Sequence, residues 1–558
     1  MVQTLDQETD VRRLVEQERA RLLKEAGLSE SRKLFQRPVE RPFTADQRAH
    51  TTLLFGGLTV KHEELIKGSL AGMGYTCENM PIPDVKAFQL GKEYGNNGQC
   101  NPTYFTVGNL VQYLQKLRDS GMEKQRILQD YVFLTAGACG PCRFGMYEAE
   151  YRLALRNSGF DGFRVILFQQ KGGLSQSDVE AGLRMDMDFF LSLVSAISIG
   201  DLLNEVGYLV RPFEVEPGAT NRALDRCTEM LRQAMHDRPF YSFDKSKLKG
   251  LRRWRGLSSR VETLGKFWQQ VRTRHYTDVL EECRKILAEV QVDRTRVAPI
   301  VKITGEFWAQ TTEGDGNFNM FRFLEGEGAE VLVEPVATWL LYMLWQVKQG
   351  YRDRFGLPGN RNPFRLGYRL ARIVTAEKLF TREYNRFRKA LGDTTHAPVC
   401  QMHLQRLGHP YYHSRSQGGE GHLEVAKNIH YASNKLCHMV LSLKPFGCMP
   451  STQSDGAQAA VVSHFSDMIF LPVETSGEGE INAHSRVQMA LGEARRKAKE
   501  EFAEVLQTTG RSLEEIRAYV DTRPELRSAL YKVPKDKRYS GTAANFVTHV
   551  AALMENGR

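Results

Sequence analysis

Four of the nine cysteines in the chain stand in glycine-rich loops, and these loops carry the clearest chemistry in the sequence. The loops are GKEYGNNGQCNPTYFTVGNL (91–110), TAGACGPCRFGMYEAEY (135–151) and SLKPFGCMPSTQSDG (442–456). Each loop leads into a helical pattern, where free backbone N–H groups and the helix dipole favour a thiolate. A thiolate is the form of cysteine that binds metal. We therefore predict a metal or redox site that contains Cys100, Cys139, Cys142 and Cys448.

The spacing of these cysteines leaves several kinds of site open. Cys139-x-x-Cys142 can chelate one metal ion, contact the irons of one cluster, or work as a redox dithiol. Zinc would require a second such pair or paired histidines at the usual spacing, and neither is present. A thioredoxin-like dithiol leaves Cys100 and Cys448 without a role. The pattern favours an iron–sulfur site over a dithiol, a zinc site or structural cysteines.

The other five cysteines give weaker signals. Cys227 and Cys283 fall inside helical patterns and are interpreted as packing residues. Cys77, Cys400 and Cys437 are undecided and are candidates for additional ligands. The number of cysteines is odd and the chain starts with a polar, acidic segment instead of a secretory leader. A reducing cytoplasm is therefore the expected compartment.

Strand and helix patterns alternate around these loops. TTLLFGG, YVFLTAG (131–137) and FRVILFQQ (163–170) have the character of strands buried on both faces, which is typical of a parallel sheet. The same order starts again near Val297 with PIVKITGEFW, AEVLVEP and later DMIFLPVE (467–474). The predicted fold class is α/β, with two Rossmann/flavodoxin-like parallel-sheet lobes, helical insertions and a helical C-terminus. Ligands of such sheets gather at the carboxyl ends of the strands.

The order of strand and helix patterns predicts five segments along the chain. They are an N-terminal helical arm (1–48), a first α/β lobe with the Cys100 and Cys139/Cys142 loops (49–175), a helical linker or cover without strands (176–295), a second α/β lobe with the Cys448 loop (296–475), and a C-terminal helical segment that ends in a basic tail (476–558).

Composition narrows the choice of partners. Hydrophobic residues make up 41% and charged residues 25% of the chain, which is enough to bury a core and excludes a disordered protein. The net charge is +10, but the basic residues are dispersed and no nucleic-acid-binding motif is visible, so we expect no nucleic-acid partner. No phosphate-binding glycine loop is present either. From the sequence, the longest apolar stretch is expected to be Val336–Trp345, which is about half as long as a membrane span. No membrane partner is therefore expected.

The three cysteine loops, in this order, resemble the acyl-CoA dehydratase activase-related proteins. The strings GQCNPTYFTVGN, CGPCRFG and KPFGCMPSTQSDG are highly specific, and the resemblance covers roughly residues 45–495. In the large family members this region follows ATPase activator domains of the sugar-kinase-like fold. The chain carries no such domains, so the resemblance implies a free-standing, cytoplasmic partner subunit. A homo- or hetero-oligomer is the expected assembly.

More remotely, the chain resembles the subunits of 2-hydroxyacyl-CoA dehydratase and benzoyl-CoA reductase and the double-cubane cluster proteins. That resemblance implies two α/β lobes with an iron–sulfur cluster between them. By order along the chain, Cys100, the Cys139/Cys142 loop and Cys448 match the ligands. Four thiolates would complete a [4Fe–4S] cluster, and three would leave one iron open. A double-cubane [8Fe–9S] would recruit further thiolates from Cys77, Cys400 or Cys437.

The resemblance also implies a role. A separate ATP-dependent activator with its own [4Fe–4S] cluster would dock on this subunit and deliver low-potential electrons. The subunit would then act as a reductase or dehydratase component on an acyl-CoA or a small molecule. The alternative is an iron–sulfur carrier or scaffold that binds the activator and performs no chemistry. The residues that would carry out catalysis are not apparent from the motifs.

Overall fold

The structure is a computed structural model. It describes residues 41–137, 142–169, 182–241, 255–355, 357, 363–416 and 419–556, together with most of 14–25. The chain divides into two compact units, Met1–Arg41 and Pro42–Arg558. The described residues between 14 and 25 are helical and exposed.

The second unit contains all the strands of the described residues. They are β1 (Thr52–Phe55), β2 (Thr76–Asn79), β3 (Tyr131–Gly137), β4 (Arg164–Gln169), β5 (Ile300–Gly305), β6 (Glu330–Leu332), β7 (Met439–Pro445) and β8 (Ile469–Thr475).

The helices of this unit fall into four groups. Those of the first lobe are α1 (Val60–Gly72), α2 (Val85–Tyr94), α3 (Asn101–Asp119), α4 (Lys124–Asp130) and α5 (Tyr147–Asn157). Those that follow the first sheet are α6 (Met187–Val210), α7 (Ala219–His236), α8 (Arg255–Arg272) and α9 (His275–Ala288). Those of the second lobe are α10 (Phe307–Thr311), α11 (Met320–Gly326), α12 (Val336–Arg352), α13 (Pro363–Ala390), α14 (Gln401–Gly408), α15 (His422–Ser433) and α16 (Met449–His464). The C-terminal helices are α17 (Glu480–Thr509), α18 (Leu513–Asp521) and α19 (Thr542–Asn556).

The two sheets have the same topology. Their strand orders are β2-β1-β3-β4 and β6-β5-β7-β8, and every strand pair is parallel. In each lobe the second strand pairs with one side of the first strand, and the third and fourth strands are added on its other side. A crevice therefore opens at the carboxyl ends of the two central strands. The predicted fold class, α/β with two Rossmann/flavodoxin-like lobes, is confirmed.

Both faces of the first sheet are covered, which explains why its central strands β1 and β3 are apolar on both faces. Leu53 and Val132 face one core together with helices α6, α7 and α9. Leu54 and Phe133, one residue further along each strand, face a second core with α3 and α5. Successive side chains of a strand point to opposite faces, so strands buried on both faces lack an apolar–polar alternation.

Helix α6 corrects one expectation from the sequence. Together with the short 3-10 turn that follows it, this helix (Met187–Phe213) is long and apolar enough to cross a membrane, so Val336–Trp345 is not the longest apolar segment. However, 78% of its apolar window is buried inside the protein. The helix packs against α1, α7 and α12. These contacts are typical of a central core helix.

The C-terminal segment also differs from expectation, because its end is not a simple basic tail. Helix α19 packs against α17 and α18 in a small core that includes Val505, Ile516 and Phe546. Glu501 of α17 holds the start of α19 in place, because it accepts hydrogen bonds from the backbone N–H groups of Ser540 and Gly541 at 3.0 and 2.9 Å.

Candidate functional site

Cys100, Cys142 and Cys448 occupy the same local position in three different elements. Each is the N-cap residue of a helix, with extended backbone (φ −78°, −65° and −75°) and no side-chain capping bond. Cys100 precedes α3, Cys448 precedes α16, and Cys142 precedes the 3-10 turn Arg143–Met146 that leads into α5. Backbone N–H groups of the first turn, from Phe144 and Ser451, hydrogen-bond to the thiols of Cys142 and Cys448. At the start of α3 the N–H of Asn101 is instead used by the carbonyl of Phe446, and residue 102 is proline.

The three cysteines line one large cavity of about 880 Å³. The part of its wall that carries the cysteines and Glu306 is built from residues at or after the ends of the four central strands, at 55–58, 142–144, 306–308 and 447–451. These segments mark the crevices of both sheets, so the two lobes present their ligand-binding edges to the same space.

The loop before α3 joins the two lobes beside the cysteines. The backbone N–H of Asn101 donates to the carbonyl of Phe446 at 3.1 Å, and its side-chain amide donates to the carbonyl of Thr475. Gly447 adopts a left-handed conformation (φ +74°), and a Cβ atom there would lie 3.2 Å from the carbonyl oxygen of Gln99 and 3.4 Å from Cα of Cys100. Glycine is therefore required where the Cys448 loop crosses the Cys100 loop.

The Cys100 thiol has two hydroxyl neighbours. Its sulfur lies 3.1 Å from the hydroxyl oxygen of Thr103 and 3.4 Å from that of Tyr147. Tyr147 is buried, and burial, followed by the charges of Cys100 and Glu306, holds its pKa well above the usual value. The phenol therefore keeps its proton and can donate a hydrogen bond to a thiolate.

Burial works against free thiolates in this cavity. It raises the pKa of Cys142 to about 12, although the backbone N–H of Phe144 acts in the opposite direction. Burial, and then the charge of Glu306, also raises the pKa of Cys448, whose sulfur has Ser451 as a hydrogen-bonding partner. A bound cation is what would deprotonate such thiols, because metal ligation stabilises the thiolate.

Two carboxyl groups share the polar wall with the cysteines. Glu306 is the N-cap of α10 and accepts the N–H of Ala309 at 2.9 Å. Burial raises its pKa to about 7. Burial also raises the pKa of Glu420 well above its usual value; the charge of Lys427 lowers it, and the charges of Glu306 and Glu424 raise it further.

The turn that carries Glu306 is fixed by close packing between the two central strands. Gly305 has φ +111°, and a Cβ atom there would lie 2.0 Å from the carbonyl oxygen of Leu443 in β7. The backbone N–H of Glu306 donates to the same carbonyl at 3.0 Å. Any side chain at position 305 would push Glu306 away from the Cys448 loop.

Away from the cysteines the cavity is apolar. Its wall there comes mainly from α1, α6 and α12, and includes Ile66, Leu70, Phe189, Leu193, Ile197 and Leu340. A wall of this kind binds the apolar part of a ligand and excludes water from the polar end.

The remaining cysteines are distributed differently. Cys139 lies outside the described residues. Cys227 and Cys283 are completely buried between α7 and α9, in the core, as their helical pattern suggested. The three undecided cysteines lie away from the cavity wall: Cys77 in β2, Cys400 exposed at the N-cap of α14, and Cys437 buried in a small cluster beside Tyr431 and Val440. Of the cysteines that the structure describes, only Cys100, Cys142 and Cys448 thus lie together at the cavity.

Three thiols from three separate loops are the sulfur donors that the described part of the cavity wall offers. Among the described residues, no three histidine, cysteine, aspartate or glutamate side chains lie close enough to hold one metal ion. A tetrahedral zinc site would need sulfurs within roughly 4 Å of each other, whereas the cysteines of a cluster bind different irons and stand further apart. Cys100, Cys142 and Cys448 come from separate loops that line one cavity, and Cys139 lies three residues before Cys142 in the sequence.

Sequence reasoning missed the residues that position and surround the cysteines. Glu306 follows a strand in ITGEFW and Glu420 lies in GGEGHLE, and both patterns place an acid at a glycine turn. The glutamates of the similar loop ETSGEGEIN (474–482) are exposed instead. Asn101 and Gly447 gave no signal of their own, because their role depends on which loop lies opposite.

The fold and site together define a class: a two-lobed α/β protein with a thiol-lined cavity between two equivalent sheet edges. No protein-family model matches the chain, and no curated protein matches it.

Proposed function

We propose that this protein is an iron–sulfur redox subunit that receives low-potential electrons from a separate ATP-hydrolysing activator and uses them as a reductase or dehydratase component. The observation that supports this most strongly is the convergence of Cys100, Cys142 and Cys448 on one interlobe cavity. Cys139 is the proposed fourth ligand, because it shares the loop of Cys142.

The cluster would supply a centre that takes up and releases single electrons. The protein's own contribution is to hold the thiolates and to tune their charge. Thr103 and Tyr147 offer hydroxyl donors to the sulfur of Cys100, and the backbone N–H of Phe144 does so for Cys142. Hydrogen bonds to ligand sulfurs spread their negative charge and shift the reduction potential upward.

The cavity also has the groups that a coupled proton transfer requires. Glu306 has a pKa of about 7, so it exchanges its proton near neutral pH. It lines the same wall as the cysteines. A carboxyl group poised near the working pH can hand a proton to a ligand as that ligand gains negative charge. Glu306 is therefore the proposed proton donor, and its burial is what keeps its pKa raised.

The shape of the cavity bears on the substrate. Its volume of about 880 Å³ lies within the range of sites for organic ligands, and its far wall is apolar. This favours a substrate with an acyl or aryl group, such as the acyl part of an acyl-CoA, over a very small molecule. Arg354, two residues after the end of α12, also lines the cavity and carries a positive charge.

Exposed apolar side chains next to Cys448 offer a docking point for the electron donor. Phe446 is 57% exposed and Met449 is 40% exposed. An electron donor bound here would lie close to the proposed cluster. The same feature would also serve the alternative function, in which the protein is a carrier or scaffold. For either function we propose a cytoplasmic location, where thiols remain reduced.

Anaerobic purification followed by iron and sulfide analysis tests the cofactor. We expect about four irons per chain and the EPR signal of a reduced cluster. Fewer than about three irons per chain would rule out the [4Fe–4S] proposal. A metal-free preparation reconstituted with iron and sulfide should give the same count.

Electron delivery separates a reductase from a carrier. The protein is first reduced with an ATP-hydrolysing activator and ATP. It is then mixed with a series of acyl-CoAs, and its EPR signal is followed. Substrate-dependent reoxidation supports the reductase or dehydratase role. A cluster that is reduced by the activator but is not reoxidised by any acyl-CoA favours the carrier.

A further inference from the structure

Three helices meet at one end of the apolar part of the cavity. Asp201 of α6 accepts hydrogen bonds from the backbone N–H groups of Val336 and Ala337, at the start of α12, at 2.7 and 2.8 Å. The same carboxyl group lies 3.2 Å from Nε2 of His62 in α1. All four residues are buried. This contact, here called the Asp201 junction, fixes the relative position of the three helices at this end.

From the Asp201 junction, each of the three helices places apolar side chains on the cavity wall at intervals of about one or two turns. Helices α1 and α12 lead away from the junction, and α6 leads towards it. Helix α6 packs against both α1 and α12, so it forms the floor between them. The rows of side chains therefore form the sides of a channel that starts at the junction. They include Ile66 and Leu70 from α1, Leu193 and Phe189 from α6, and Leu340 and Val347 from α12.

The length of the channel follows from the helical rise. Phe189 lies 12 residues before Asp201 in α6, and Val347 lies 11 residues after Val336 in α12. At about 1.5 Å per residue, the channel extends about 16 to 18 Å from the junction. Two successive carbon–carbon bonds span about 2.5 Å, so an extended chain of about 12 to 14 carbons matches this length.

The junction end of the channel meets the part of the wall that carries the cysteines. The rings of Phe307 and Trp339, whose centres are 5.0 Å apart, place the first turn of α12 beside the turn of Glu306. Glu63, the residue after His62, lines the cavity and accepts two backbone N–H groups of the turn after β1. Burial raises the pKa of Glu63 to about 8, so this carboxyl group keeps its proton at neutral pH. It can then donate a hydrogen bond to a carbonyl oxygen at this end.

We propose that the channel binds the linear acyl chain of a fatty acyl thioester of about 12 to 14 carbons, with the thioester at the junction end. The choice of a thioester rests on the proposed function, whereas the choice of a long linear chain rests on the channel. Ser69 and Gln346 are polar, but most of the wall along these helices is apolar. A short acyl group or an aromatic ring would cover only the first turns of this wall, and a long chain covers all of it.

Calorimetric titration of the full-length protein with neutral thioesters tests the proposal. The probes are the N-acetylcysteamine thioesters of butanoic, octanoic, dodecanoic, octadecanoic and benzoic acid, each below its micelle concentration. Each methylene group that enters an apolar site strengthens binding by about fourfold. We expect the affinity to rise by at least about tenfold from butanoyl to octanoyl and again to dodecanoyl, and then to level off. Equal affinity for butanoyl and dodecanoyl, or a steady rise to octadecanoyl, would overturn the proposal.

Two variants test the direction in which the chain lies. Leu340 is four residues from Val336, about 6 Å along the channel, and Leu193 is eight residues from Asp201, about 12 Å along it. Leu340→Trp should therefore weaken binding of octanoyl and dodecanoyl by about tenfold or more, whereas Leu193→Trp should do so for dodecanoyl alone. Equal losses for all chain lengths in both variants would contradict this arrangement.

Leu191→Trp is the matched control, because Leu191 is a half-buried leucine of α6 outside the cavity wall. It should bind every thioester like the unmodified protein. Thermal melting checks that all three variants are folded, so that lost binding reports on the channel.

Iron analysis of the same preparations separates this proposal from the proposed function. Binding that depends on chain length in a protein without iron would support the channel and contradict the redox role. A protein with about four irons per chain that binds butanoyl or benzoyl as tightly as dodecanoyl would support the redox role and overturn the channel.

Discussion

The backbone N–H of Asn101 donates a hydrogen bond to the carbonyl of Phe446, and this contact joins the two lobes between the cysteine loops. Asn101 directly follows Cys100, and Phe446 lies two residues before Cys448. The position of one cysteine relative to the other is therefore set by the backbone itself. A main-chain contact of this kind depends on the closeness of the two loops more than on side-chain identity.

Gly447→Ala should disturb this junction. The left-handed backbone and the contact with Gln99 disfavour any side chain at this position, at a cost of about 1 to 3 kcal/mol in the free energy of unfolding. We expect a lower thermal midpoint and a partial loss of iron, measured together on the same preparation.

Gly456→Ala is the control, because a Cβ atom on this glycine of α16 has no neighbour within 4 Å. That change should raise the free energy of unfolding by about 0.5 to 1 kcal/mol. Equal stability and full iron content in the Gly447 variant would contradict the described junction.

Replacement of the loop cysteines by alanine should remove iron. Cys100→Ala, Cys142→Ala and Cys448→Ala should each reduce the iron content of anaerobically purified protein to less than about half, since each removes one of at most four ligands. Cys139→Ala tests the fourth position in the same assay. Iron and sulfide analysis with EPR provides the measurement.

Cys400→Ala is the matched control for these variants, because Cys400 is also the N-cap of a helix but is exposed away from the cavity. It should retain iron, as should Cys227→Ala in the core. Full iron content in the Cys448 variant would refute ligation from both lobes.

Leu193→Trp should fill part of the apolar cavity. Leu193 lines the cavity from α6, whereas Leu191 lies two residues earlier on a different side of the helix and outside the cavity wall. With the dye 1-anilinonaphthalene-8-sulfonate as a probe of apolar cavities, we expect Leu193→Trp to weaken binding by about fivefold or more and Leu191→Trp to leave it unchanged. Iron content should stay the same in both. Equal dye affinity in the two variants would show that the dye does not enter this cavity.

The C-terminal segment should lose stability in acid through Glu501. Burial alone would raise the pKa of this carboxyl group, but the bonds and charge from His438 and the N–H groups of Gly541 and Ser540 lower it to about 2. A folded pKa below the unfolded value of 4.5 means that the stabilisation is complete above pH 4.5 and is lost as the pH falls towards 2. Its size is about 1 to 3 kcal/mol.

Glu501→Gln should therefore be less stable than the unmodified protein at pH 7, and the difference should shrink between pH 4.5 and pH 3. Urea unfolding at each pH gives the comparison. Glu500→Gln serves as the control, because Glu500 is exposed and paired only with Arg496 on the same helix. A constant difference at all pH values would show that Glu501 does not titrate in this range.

Much of the fold follows from local patterns in the sequence. YVFLTAG and PIVKITG are apolar on both faces, which only a covered parallel sheet accommodates, and both form central strands of such sheets. The short strand Thr76–Asn79 was missed because it is polar and at a sheet edge, where burial places few demands on residue type. The end of the chain was misjudged because α19 is buried only by contact with distant α17 and α18.

The sequence by itself determined the chemistry and the local position of the cysteines, because glycine, proline and the helix starts that follow them are local signals. It placed Cys448 in a glycine-rich loop of the predicted site and left Cys400 undecided, although both turn out to be N-caps of helices. Only the tertiary structure decided between them. Cys448 follows a central strand, whose carboxyl end must lie at the crevice of the sheet, whereas Cys400 follows a helix and lies exposed at the surface. The order of strands in the two sheets, and the contact between the Asn101 and Phe446 loops, place the three thiols around one cavity.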